Sequence, residues 1–219
     1  PMTRIKMGLR IIGKENLRKH KDELKGGAVT VSNHVHMWDY LALRCALKKK
    51  DMAVLCWKKN VSGETGALVR LVGGIPIPEG DIKATHAFKK ATDEFLNGGY
   101  VQIYAEGSMW EYYRPIRPFR TGAALFAIDN DKPVLPMAFS YRKPSFLRKM
   151  FGQWATFTLN IGEPLYANPD LEKKEAQMDL TKRLHDEVCR LAGIDPEKNI
   201  YKPIFDNDTR IDYYDALRQ

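Results

Sequence analysis

Residues 28–40 read Ala28-Val29-Thr30-Val31-Ser32-Asn33-His34-Val35-His36-Met37-Trp38-Asp39-Tyr40. A short apolar run after Gly26-Gly27 has the character of a buried strand, and Tyr40 to Leu47 follows with helical periodicity, closed by Lys48-Lys49-Lys50, whose charges suit a helix C-terminus. A strand passing directly into a helix is the unit of a layered α/β domain. His34 sits on the link, and one turn of the following helix can bring Asp39 back beside it. An imidazole held by a carboxylate on one nitrogen keeps the other free to take a proton. Spacing alone leaves a second reading open, in which Asp39 only caps the helix and His34 fills a loop.

Outward from this stretch the same alternation repeats. Ile5, Met7, Leu9 and Ile11 alternate with cations and predict a half-buried strand. Further strands are expected at Met52–Trp57, Tyr100–Tyr104, Val134–Ser140 and Thr156–Ile161, with helices at Ala67–Val72, Ala84–Leu96, Gly122–Ile128 and Lys173–Ala192. Gly73-Gly74-Ile75-Pro76-Ile77-Pro78 is too rich in glycine and proline for helix interior and must be loop or edge strand. Residues from Asp195 show no periodicity. The expected fold is a single α/β layered domain over residues 1–219, with a largely parallel mixed sheet flanked by helices and a C-terminal extension at 195–219.

Composition narrows the function classes. The chain has 219 residues, 44% hydrophobic and 28% charged, which excludes disorder and low-complexity readings. A net charge of +8 favours an anionic partner, whether nucleic acid, membrane surface or phosphorylated small molecule. Three cysteines with no paired spacing point to a reducing compartment, with cytosol the default. No apolar run is long enough to span a bilayer. The opening Pro1-Met2 suggests that upstream residues, an anchor among them, are missing.

Three further clusters carry chemistry. Tyr104-Ala105-Glu106-Gly107-Ser108 ends a strand on the edge where open α/β sheets bind ligands, although a plain turn fits it equally. Arg114, Arg117 and Arg120 lie among Pro115, Pro118 and Phe119, either as a phosphate-holding loop or as a solvated one. Phe146, Leu147, Met150, Phe151 and Trp154 stand at helical spacing beside cations, as in an interfacial membrane helix or an ordinary core-facing turn. A metal site on His34, His36 and Asp39 fails on spacing and ligand count, so no metal is expected, and His36 is read as a packing residue.

Four blocks occur in one order: Asn33-His34-x4-Asp39, Gly73-Gly74-Ile75-Pro76-Ile77, Tyr104-Ala105-Glu106-Gly107-Ser108 and Val134-Leu135-Pro136-Met137-Ala138. Together they resemble the glycerolipid acyltransferase family, the 1-acylglycerol-3-phosphate (lysophosphatidic acid) acyltransferases, over about Gly8 to Ala192. Phe119-Arg120-Thr121-Gly122-Ala123 and Asn160-Ile161-Gly162-Glu163-Pro164-Leu165 add to the likeness. The resemblance implies that His34 is the catalytic base and Asp39 its partner. It further implies that Gly73, Gly74, Ile75 and Pro76, with Glu106, Gly107 and Ser108, help bind the acceptor, and that Pro136 lies near the acyl site.

The implied reaction moves an acyl group from acyl-CoA or acyl carrier protein to a lysophospholipid, giving phosphatidic acid from 1-acylglycerol-3-phosphate, with no cofactor beyond the donor. The family's third block usually carries an arginine for the acceptor phosphate where this chain has Met109, so Arg114, Arg117 or Arg120 must substitute or the acceptor differs. Peripheral attachment to an anionic membrane at its cytoplasmic face is expected through Lys48-Lys49-Lys50, Lys58-Lys59 and the Phe146–Trp154 segment. Rival classes are a silent lipid-binding module of the same fold and a thioester hydrolase. A nucleic-acid binder is disfavoured because no basic patch is interleaved with aromatics.

Overall fold

The structure is a computed structural model that describes residues 5–48, 51–64, 66–80, 82–153 and 155–200. Its centre is a seven-stranded sheet ordered β1-β7-β6-β2-β5-β3-β4, with β1 Arg10–Ile12, β2 Ala28–Val31, β3 Met52–Trp57, β4 Gly74–Ile77, β5 Tyr100–Ile103, β6 Val134–Arg142 and β7 Thr156–Ile161. The pairings β2–β5, β2–β6, β3–β5, β3–β4 and β1–β7 are parallel, and β6–β7 is antiparallel. The five strands from β6 to β4 therefore run one way, and β7 with β1 runs back.

Alternation along each strand divides the core between two faces. Val29, Val31, Ala53, Leu55, Val101 and Ile103 pack with helices α7 (Gly122–Asp129) and α9 (Lys173–Ala192), whose Ala123, Ala127, Leu180, Leu184 and Val188 close that side. Ala28, Met52, Val54, Tyr100, Leu135 and Met137 face the other way and pack with Tyr40, Ala42, Leu43 and Ala46 of α3 (Asp39–Leu47). Helices on both faces explain why β2 and β5 are buried at every position, Thr30 and Gln102 included. The fold is the expected single α/β layer structure. Among the described residues no helix is long and apolar enough to cross a membrane.

The remaining elements are α1 (Lys14–Lys19), α2 (Lys21–Lys25), α4 (Lys58–Ser62), α5 (Gly66–Leu71), α6 (Ile82–Leu96), α8 (Phe146–Met150) and a short 3-10 turn at Pro196–Lys198. The N-terminal stretch corrects the sequence reading. Residues 5 and 6 are helical and the strand is confined to Arg10–Ile12, although the expected burial holds, with Met7 and Leu9 buried between exposed Lys6 and Arg10. Gly8, at φ +56, breaks the extended backbone between them. Gly74–Ile77 settles as an edge strand. Within the expected C-terminal extension, residues 201–219 lie outside the described residues, as do Trp154, Lys49 and Lys50.

The entry to β2 depends on Gly27, held at φ +105 with the position of an added Cβ only 1.9 Å from the Leu96 carbonyl oxygen. Gly98, at φ +95, has open space around the same position. Gly98→Ala should thus cost only backbone strain, roughly 1–2 kcal/mol. Gly27→Ala adds a backbone collision and should exceed about 4 kcal/mol in urea unfolding; equal losses for the two would show that the contact with Leu96 does not constrain the strand.

Candidate active site

His34 follows β2 by three residues, at the edge of the sheet where the five co-directional strands end. The residue before it fixes its path: Asn33, almost wholly buried, donates from Nδ2 to the Phe139 carbonyl at 3.0 Å and accepts the Phe139 N–H at 2.7 Å. This pins the chain leaving β2 to the adjacent strand β6. Asp39, at the start of α3, is fully buried, and its Oδ2 accepts the N–H groups of Val35 at 2.7 Å and His36 at 2.9 Å. The same oxygen lies 3.2 Å from His34 Nδ1. Asp39 therefore bonds backward to the loop that precedes it and makes no side-chain cap to the helix it begins. The imidazole is left 23% exposed, with its Nε2 making no hydrogen bond to the described residues.

Two groups complete the setting of the ring. Tyr104, just past β5, stacks on His34 with ring centroids 3.8 Å apart and planes inclined by 11°. Burial, with the nearby Asp39 charge, raises its phenol well above the usual range, so it stays protonated. Tyr104 Oη and Asp39 Oδ1 are both buried and make no hydrogen bond to the described residues. His36 turns away: its ring meets Phe157 and Tyr112 edge-on and its Nδ1 accepts the Trp38 N–H at 3.1 Å. Burial lowers its pKa and keeps it neutral, as suits a packing residue.

Glu106 lies directly behind His34. Its side chain is 3% exposed; Oε2 accepts the His34 N–H at 3.1 Å and Arg117 Nη2 at 3.2 Å, and Oε1 accepts the Arg117 N–H at 2.9 Å. Burial raises its carboxyl even against the opposing pull of Arg117 and the two backbone donors. Arg117 is equally committed. Its guanidinium, 6% exposed, also donates to Ser108 Oγ at 2.7 Å and to the Ser108 carbonyl, and lies 4.4 Å from the Trp110 ring centroid. Arg117 is thus part of the wall that holds His34 from behind, its guanidinium taken up by Glu106 and Ser108.

Arg120 and Arg114 are the exposed members of the basic loop. The Arg120 backbone N–H bonds to the Ala105 carbonyl at 2.8 Å, and its guanidinium covers Gly107 so closely that an added Cβ there would lie 2.9 Å from Nε. Arg114 approaches the Tyr141 ring at 6.0 Å. Gly73 and Gly74, by contrast, are not brought to His34. They sit at the opposite, N-terminal end of β4, three strands or about 14 Å across the sheet from β2. Their glycines answer to packing, since added Cβ atoms would lie 2.7 Å from the Met52 carbonyl and 2.5 Å from Val69.

Ile75 is buried in that edge strand, and only Pro76 and Ile77 approach the edge where His34 lies. Pro136 is buried in β6, level with Val31. Its carbonyl accepts the Gly162 N–H at 2.9 Å, so the missing donor faces the end of β7, where the ladder is already finishing. It packs below the site and does not line it.

The two arginine roles separate experimentally. Arg117→Ala should lower stability by about 3–5 kcal/mol, because Glu106 is left buried without its counter-charge. Arg120→Ala should change stability by less than about 0.5 kcal/mol. Comparable losses in urea unfolding would refute this division. Replacing Tyr104 by Leu should reduce turnover and move the acid limb of the pH–rate profile, while Tyr104→Phe, which keeps the stacking face, restores both; a Phe variant as impaired as the Leu variant would show that the ring is not what positions the base.

Comparison with known proteins bears on the family and the fold. The model of the acyltransferase family matches residues 8–140. No curated protein sequence matches the chain. Among solved structures, the 1-acyl-sn-glycerophosphate (LPA) acyltransferase PlsC from Thermotoga maritima superposes with a TM-score of 0.56 at 18% identity, covering 89% of this chain and 74% of that one. At that identity the likeness establishes the fold. The family match spans β2, the His34–Asp39 loop and Glu106, and the chain belongs to the acyltransferase family.

Proposed function

We propose that this protein transfers a fatty acyl group from an acyl thioester, carried by coenzyme A or acyl carrier protein, to the free hydroxyl of a lysophospholipid. The observation that carries the reading is the single-sided restraint of His34: Nδ1 is held by Asp39 at 3.2 Å, and the opposite ring nitrogen is free to act. The Nδ1–H donates to the carboxylate, so Nε2 carries the lone pair. It removes the acceptor's hydroxyl proton as the oxygen attacks the thioester carbon. The carbon–sulfur bond then breaks, and the imidazolium returns the proton to the departing thiolate. A thiol with a pKa of about 8.5 leaves readily, so one base suffices and no covalent enzyme intermediate is needed.

For the acceptor, 1-acylglycerol-3-phosphate is the proposed substrate, a reading that the likeness in fold to the Thermotoga LPA acyltransferase supports. The phosphate-binding cation is then Arg120, with Arg114 as the second exposed member of the loop, since Arg117 is occupied within the wall. Met109 in place of the family's arginine favours one further reading, an acceptor without a terminal phosphate.

His34→Ala should abolish thiol release from acyl-CoA in the presence of acceptor while unfolding at an unchanged urea midpoint. Asp39→Asn should slow transfer roughly 10²–10⁴-fold, through loss of the correct tautomer. Arg120→Ala should raise KM for lysophosphatidic acid and leave the KM of a phosphate-free monoacylglycerol unchanged. A wild-type preference for the monoacylglycerol would overturn the phosphate assignment, and undiminished transfer by His34→Ala would overturn the reaction itself.

A further inference from the structure

The antiparallel connection from β6 to β7 leaves the sheet on the His34 side. Val31 is level with Pro136, and β6 continues to Arg142, whereas His34 is only three residues past Val31. The hairpin tip thus begins about 10 Å further along the strand direction than the catalytic ring. Helix α8 crowns it with Phe146, Leu147, Met150 and Phe151, which are 77%, 66%, 67% and 83% exposed, and Ile5 beside them is 66% exposed. The segment is held in shape, since Arg148 donates to the Ile5 carbonyl at 3.0 Å and to Gln153 Oε1 at 2.6 Å.

Charge indicates what covers this apolar tip. Between Asp131 and Glu163 the chain carries Lys132, Arg142, Lys143, Arg148 and Lys149 and no acidic residue. Lys143 and Lys149 are exposed around the same helix. Two copies of the chain meeting tip to tip would oppose like charges, whereas an anionic lipid surface supplies both the apolar phase and the counter-charge.

We infer that α8 is the membrane-docking element, inserting its apolar face among the lipids of an anionic bilayer and so setting His34 at the headgroup level. The depth agrees: interfacial helices sit about 5–10 Å below the surface, close to the height by which the tip overtops the ring. Lys58 and Lys59, which follow β3, lie on the same edge of the sheet. Lys48, which ends α3, lies at the opposite edge, away from the hairpin.

The inference rests on the reading of the acceptor as a membrane lipid, and the test separates the two. The full chain and a Phe146→Ser/Phe151→Ser variant are co-sedimented with phosphatidylcholine vesicles and with vesicles containing 30% phosphatidylglycerol. Both are also assayed for thiol release with a short-chain, water-soluble acyl-CoA and a short-chain lysophosphatidic acid. The expected result is binding of wild type to the anionic vesicles, more than about tenfold weaker binding by the variant, and less than a twofold change in soluble turnover. Equal pelleting of the two proteins, no pelleting of wild type, or a wild-type dimer that the variant dissociates would each overturn the docking assignment. Absence of soluble turnover in wild type with vesicle binding intact would instead overturn the proposed reaction and leave α8 as the docking element.

Discussion

One buried carboxylate oxygen organises the catalytic loop. Asp39 Oδ2 receives two backbone N–H groups and faces the Nδ1 of His34, all within 3.2 Å. All three contacts converge on one buried atom. The backbone donors also fix the carboxylate relative to the loop before any substrate arrives. The imidazole therefore meets an acceptor already in place.

The loop is in turn fastened at three points. Asn33 ties it to β6, Glu106 ties the His34 N–H to the segment after β5, and Arg117 closes the pocket behind Glu106. A buried ion pair of this kind adds little net stability, because desolvation consumes most of the Coulombic gain. Its effect is positional. The pair shares one carboxylate between the main chain of His34 and the main chain of Arg117, so two loops 72 and 11 residues away from Glu106 have one relative placement.

The sequence made the local features legible and the long-range ones opaque. Thr156–Ile161 and Lys173–Ala192 appear with the expected bounds because their periodicity reflects faces buried along their whole length. Helices α1 and α4 bury no residue and leave no pattern to read. The meeting of His34 and Asp39 is a matter of five residues and one helical turn, so spacing reveals it. Tyr104 was not recognisable as the stacking partner, since its place beside His34 follows from the register that pairs Val31 with Ile103. Arg117 illustrates the same limit: in sequence it is one of three similar arginines, and only the position of Glu106 across the fold draws it inside.

The outermost strands bear on how this molecule avoids sticking to itself. β4 leaves one side of its backbone open, next to the exposed side chains of Trp57 and Ile77. Such an edge would ordinarily template the addition of another chain. Pro76 within it and Pro78 just beyond supply no N–H groups, so an incoming strand finds its ladder interrupted at alternate positions. At the far margin β1 is only three residues long. Growth into a larger intermolecular sheet is discouraged at both margins, a safeguard against aggregation written into the same glycine and proline block that resembles a substrate-binding motif.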